Sequence, residues 1–207
     1  MSQPKLRILY SKGVDIQEID AALKGAKRFS EFGLMCEHAL VGRKRKESYP
    51  ARDVYAGEKI VKLIYSDGPL LRASDLNSET FIGARRTKSV FGLGITNRLI
   101  LQTPESESGK PYESIEIACP GRSGIFSVFR LRTFPDQEHL RAMEILGTRM
   151  IGRIFGRNER CEDPECIMGG FTDANDFLYR FVRQPRDLCI LCAQTISVFI
   201  SSIGRQD

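Results

Sequence analysis

The chain has 207 residues, with 31 Lys and Arg against 26 Asp and Glu and a net charge of +5. That length suits one domain with a sizeable core, and the mild basicity is weak evidence for a nucleic-acid partner. No apolar run approaches the ~18 residues needed to span a membrane, and the start "MSQPKLRILYSKG" lacks the apolar stretch of a signal peptide, so a cytoplasmic, reducing setting is expected.

Taken in chain order, "KLRILYS" (5–11) predicts a buried first strand. Residues 15–32 carry Ile16, Ile19, Leu23, Ala26 and Phe29 at helical spacing. A second strand is expected over 34–42, followed by the basic run "GRKRKES" at 42–48, which reads as a solvated loop. Val54, Ile60, Ile64 and Tyr65 predict a helix over 53–67, and the stretch 67–87, with "DGP" and "SDLNSE", has loop chemistry. Strands are expected at 88–96 and 98–103, then a polar loop at 104–112. "ESIEIACP" (113–120) alternates, with Ile115 and Ile117 on one face and Ser114, Glu116 and Ala118 on the other, as an edge strand would. "GIFSVFRL" (124–131) is the strongest strand signal. Asp136 follows Pro135 and is placed to cap a long helix to about 156, and a last apolar helix covers about 191–203. This order predicts a single α/β (α+β) domain over 1–207: a mixed twisted sheet with helices in 1–135, then a long helix, a cysteine-bearing subdomain and a final helix in 136–207.

The cysteines are spaced Cys161-x4-Cys166 and Cys189-x2-Cys192. Two close pairs on short turns can turn four thiolates toward one ion, and in a reducing compartment this points to structural Zn²⁺ before disulfides, with an iron–sulfur cluster a lesser alternative. A closed four-Cys zinc stabilises a fold rather than doing chemistry, and in small zinc peptides its binding amounts to about 10–16 kcal/mol. Cys36 and Cys119 stand alone in strand-like runs and are expected as buried core thiols.

The segment "TRMIGRIFGRNERCEDPECIM" (148–168) has the outline of a zinc-peptidase helix without its histidines. The metzincin motif is H-E-x-x-H-x-x-G-x-x-H: two His one turn apart ligate zinc, the Glu is the base, and the Gly turns the chain toward a third His. With Gly156 as the turn glycine, Arg149, Met150 and Arg153 occupy the His, Glu and His positions, and the third ligand position falls at or near Arg160. Arginine stays protonated and has no lone pair for a metal, and a thioether is no general base. The chain has two histidines, His38 and His139, too few for a three-His site, and His139 lies about 15 Å along the helix from Arg149. A plainer account makes Leu140, Met143, Leu146, Met150 and Ile154 the core face of an ordinary helix, with Arg149 and Arg153 on a wet flank.

Together, "SGIFSVFRL", the helix ending "RMIGRIFG", "CEDPECIM" and "LCILC" resemble the archaemetzincin family of metzincin-type zinc metallopeptidases, most closely over 88–195. The resemblance implies a metzincin-like domain in which Cys161, Cys166, Cys189 and Cys192 hold one structural Zn²⁺ and Met168 is the Met-turn residue. The catalytic residues of the family are replaced here, which implies a catalytically inactive, pseudo-peptidase member. Its cleft would then bind an extended peptide or protein partner along the edge strand, and Arg149, Arg153 and Arg160 would favour anions there unless they face solvent or pair with an internal acid such as Glu159. The alternatives are a metallopeptidase with a ligand set not evident in the sequence, an enzyme of another class using Glu144 or Glu159, and a nucleic-acid or scaffold-binding zinc protein using the basic run.

Overall fold

A computed structural model describes residues 4–10, 13–38, 70–72, 90–97, 99–102, 112–121, 123–156, 160–184 and 186–203. The expected loop at 42–48, the helix over 53–67 and Glu159 lie outside these residues.

The central sheet has the order β2-β1-β4-β8-β7, from Met35–His38, Lys5–Tyr10, Val90–Thr96, Ser123–Ser127 and Glu116–Cys119. Four strands run parallel, and β7 closes the series antiparallel to β8, pairing Glu116 with Phe126 and Ile117 with Ile125. The mixed sheet with an antiparallel edge strand therefore agrees with the sequence pattern. A smaller sheet, β3-β5-β6, joins Leu70–Arg72, Leu99–Gln102 and Tyr112–Ser114. Two details differ from expectation. A short strand, β3, lies inside the stretch read as loop, and "ESIEIACP" is divided at Ile115 between β6 and β7. The strong run at 124–131 also leaves the sheet after Ser127, and its end turns into a 3-10 helix, Leu131–Thr133.

Helix α1 spans Ile16–Lys27 and α2 spans Asp136–Ile154. Their backbones come into close approach at Gly25 and Gly147. A Cβ at Gly25 would lie 2.0 Å from the Glu144 carbonyl oxygen, and one at Gly147 would lie 2.2 Å from that of Ala22. The α1–α2 pair is thereby drawn close onto a core that includes Leu6, Ile8, Leu93, Ile95 and Phe126 of the sheet. Asp136 does not cap α2. It is the first helical residue, Pro135 holds the cap position, and the His139 amide donates to the Pro135 carbonyl at 2.8 Å. Proline suits the place because an amide hydrogen there would have no helical partner.

After Gly156, whose φ of 150° favours glycine, the described chain resumes at Arg160 and runs through the cysteine segment to α3, Ala174–Phe177, and a five-residue π-helical turn, Leu178–Val182. Asp173 caps α3 by accepting from the amides of Asn175 and Asp176. Helix α4, Ile190–Ile203, completes the fold. Phe155 at the end of α2 touches Phe91 of β4 (centroids 4.4 Å apart) and Phe199 of α4 (6.4 Å), so the motif helix ends in an aromatic cluster joining the sheet to the last helix. No helix among the described residues is long and apolar enough to cross a membrane.

Candidate functional site

Two features meet at the C-terminal half of α2: a cysteine cluster behind it and a cleft in front of it.

The sulfurs of Cys161, Cys166, Cys189 and Cys192 all lie within 4.8 Å of one another, and among the described residues no other group of three or more potential ligands does so. Local backbone geometry brings them together. Cys161 and Cys166 begin and end a turn in which the Cys161 amide donates to the Met168 carbonyl and the Gly169 amide to the Cys166 carbonyl. The second pair enters α4, its first cysteine just before the helix and its second in the first turn. Three amides donate to the sulfurs: Met168 and Cys189 to Cys166 at 3.4 and 3.3 Å, and Cys192 to Cys189 at 3.4 Å. The Cys161–Cys189 sulfur separation of 3.7 Å matches the edge of about 3.8 Å that a tetrahedron with Zn–S bonds of about 2.3 Å requires. Burial pushes the Cys166 and Cys192 thiols above their ordinary range, and a bound dication is what reverses that preference in such a dry, all-sulfur setting. The donor set fits one Zn²⁺.

Met168 follows this turn and is buried against α2. A Cβ at Gly152 would lie 2.6 Å from its sulfur, so Gly152 is the notch that admits the side chain under the helix.

On the other face, residues 112–116, running from β6 into the start of β7, and α2 line a cleft of about 390 Å³ together with Arg130, Arg160 and Phe171. At its floor Arg149 is only 3% exposed, which corrects the wet-flank reading of this residue. Its Nη2 and Nε donate to the two carboxylate oxygens of Glu116 at 2.8 and 3.2 Å. Its Nη1 donates to the carbonyls of Gly169 (2.9 Å) and Ile167, and the rings of Phe171 and Phe181 sit 4.9 and 5.1 Å from the guanidinium carbon. Arg153, one turn on and a quarter exposed, donates from Nη1 to Glu116 at 3.0 Å. Burial acts to raise the Glu116 carboxyl, but Arg149 and then Arg153 outweigh it, holding it below the usual carboxylate range.

The internal acid facing the two arginines is therefore Glu116 of the edge strand. Sequence alternation places Glu116 opposite Ile115 and Ile117, yet all three are buried, because α2 covers the second face of β7. Met150 is fully buried, with its methyl group 2.1 Å from where a Cβ on Gly124 would stand. Arg160 is exposed at the cleft wall and has no hydrogen-bond or ion-pair partner among the described residues. His139 lies away from the cleft and meets Glu18 of α1 at 2.8 Å. Glu144, considered as an acid, is paired with Lys24 at 3.0 Å across the α1–α2 crossing and does not line the cleft. Cys36 is half-buried rather than fully enclosed.

No family model matches the sequence, and no curated protein sequence matches it. Solved structures do match over nearly the whole chain. The archaemetzincin of Methanopyrus kandleri superposes with a TM-score of 0.60 at 18% identity, covering 96% of this chain and 96% of that one. The archaemetzincin of Archaeoglobus fulgidus, solved in complex with malonate, gives 0.56 at 16% identity, covering 92% and 99%. A zinc-dependent peptidase of Methanocorpusculum labreanum gives 0.57 at 16% identity, with the same coverage. With its mixed sheet, long motif helix and C-terminal four-cysteine cluster, the chain has the archaemetzincin fold.

Proposed function

We propose that this is a non-hydrolytic protein of archaemetzincin fold, in which the four cysteines hold one structural zinc and the cleft binds an extended peptide or a partner's segment. The observation that carries this reading is the ion-paired cluster of Arg149, Arg153 and Glu116. At the motif positions where a peptidase helix presents imidazoles and a carboxylate base, this chain has two guanidiniums engaged with one carboxylate and a buried thioether. A fixed cation at the Arg149 position repels a metal ion, and none of these groups takes up a proton from water near neutral pH. Peptide binding is supported by the cleft itself, which is lined by residues 112–116, where β6 passes into β7, and by the apolar side chains of Met168 and Phe171.

The test is hydrolysis of a mixed peptide pool by protein free of contaminating protease, with Zn²⁺, Co²⁺ or Mn²⁺ added. Intact peptides are expected with every metal, whereas cleavage abolished by a chelator would overturn the reading. The triple substitution Arg149→His, Met150→Glu, Arg153→His is expected to stay inactive, because the position of the third ligand is still Arg160.

A further inference from the structure

We infer that the cleft recognises a carboxylate carried by its peptide ligand, held by Arg153 and Arg160. This rests on the peptide-binding reading above and names the chemical group selected. Arg149, Arg153 and Glu116 bring two positive charges and one negative together at the cleft floor, with Arg149 and Glu116 buried and Arg153 partly exposed. The surplus charge does not reside on a free donor of Arg149, whose Nε, Nη1 and Nη2 are all engaged and which has two phenylalanine rings beside it. Arg153 differs. It spends only Nη1 on Glu116, is partly exposed, and has no partner for Nε or Nη2 among the described residues. Arg160 adds a second open guanidinium to the lining of the same cleft. The remaining arginine of the lining, Arg130, is already taken by Glu113 through bonds of 2.8 and 2.6 Å.

The chemistry of the ligand follows from what surrounds these donors. Planar N–H pairs match the two oxygens of a carboxylate, and such charge-assisted bonds are shorter and stronger than neutral ones. The neighbouring Glu116 carboxylate disfavours a dianionic phosphate more than a single carboxylate. Phe171 and Met168 on the lining suit the organic body of a peptide rather than a bare inorganic ion. Arg160 is also set in place by its neighbour: a Cβ on Gly170 would lie 2.7 Å from its Cδ, so the side chain rests against bare backbone there. Substituting Gly170 with Ala displaces a flexible side chain at little cost to the fold, which separates the position of Arg160 from overall stability.

Three probes test the inference by calorimetric titration at low salt: acetyl-Ala-Ala-Phe with a free C-terminus, the same peptide amidated, and acetyl-Ala-Asp-Phe-amide. At least one acid probe is expected to bind about tenfold or more tightly than the neutral amide, the size of preference one charge-assisted contact gives. A preference for the free terminus identifies a chain end as the source, and a preference for the aspartyl probe identifies an acidic side chain. Arg160→Ala and Gly170→Ala are each expected to lower that preference while leaving the melting temperature within a few degrees of native. Equal binding of acid and amide would overturn the carboxylate assignment, a preference unchanged in Arg160→Ala would overturn its placement at Arg160, and both would leave peptide binding standing. Absence of binding by all three probes would overturn both, and cleaved probe in the recovered mixture would overturn the non-hydrolytic reading alone.

Discussion

Arg149 and Glu116 are joined across the floor of the cleft by two hydrogen bonds, of 2.8 and 3.2 Å, with both residues 3% exposed. They come from elements 33 residues apart in sequence, so the bond fastens the edge strand to the motif helix, while the Gly169 carbonyl fastens the same guanidinium to the turn carrying Met168. Removing Arg149 leaves the buried Glu116 carboxylate with Arg153 as its remaining cation and the Gly169 carbonyl without this donor. Arg149→Ala is expected to lower unfolding stability by about 3–5 kcal/mol, and Arg149→Met combined with Glu116→Leu to recover most of that loss. Urea denaturation checks both, and a loss under about 1 kcal/mol for Arg149→Ala would mean that the pair does not hold the cleft together.

The α1–α2 crossing supplies a prediction of opposite sign to helix propensity. Alanine in place of a helical glycine ordinarily stabilises by up to about 1 kcal/mol. At Gly25 and Gly147 the added methyl group meets backbone carbonyl oxygen at 2.0 and 2.2 Å, with no flexible side chain to yield. Gly25→Ala and Gly147→Ala are each expected to destabilise by about 1–3 kcal/mol or more, and a raised melting temperature in either would show that the helices can separate freely.

Glu18 gives the fold a definite acid sensitivity. Burial works to raise its carboxyl, but hydrogen bonds from His139, Arg132 and the Asp15 amide outweigh it and bring it from 4.5 to about 2. A carboxyl depressed in the folded state contributes stability that is complete above its unfolded value and is lost as pH falls through the folded one. The loss therefore falls between about pH 4.5 and 2, and amounts to the order of 3 kcal/mol. Glu18→Gln is expected to be less stable than the native chain at pH 7, with the two converging below pH 3 in thermal melts. Parallel curves across that range would contradict the assignment.

Much of this architecture was legible in the sequence. Strands β4 and β8 carry β-branched and aromatic residues, the motif helix has an apolar periodicity, and two closely spaced cysteine pairs are the pattern of a four-thiolate metal site. What sequence could not give is the partnership of Glu116. Period-two alternation assigns it to the wet side of an edge strand, and nothing local reveals that α2 will cover that side. Two arginines one turn apart in the apolar C-terminal half of the helix were the available signal that an acid must lie nearby, but the choice of acid depends on tertiary contact. The strand Leu70–Arg72 was hidden for a related reason: three residues among turn formers carry too little pattern, and their pairing with β5 is what makes them a strand.

The central claim is that a single metal belongs to the four cysteines while a guanidinium stands where a catalytic metal would lie. Metal content by mass spectrometry, measured on protein purified in the presence of Zn²⁺ and dialysed, tests it most directly, with Cys189→Ser as the companion. The account predicts about one zinc per chain in the native protein, falling toward none in Cys189→Ser with a lower melting temperature. Two tightly held metals per chain, or one that survives Cys189→Ser unchanged, would contradict it.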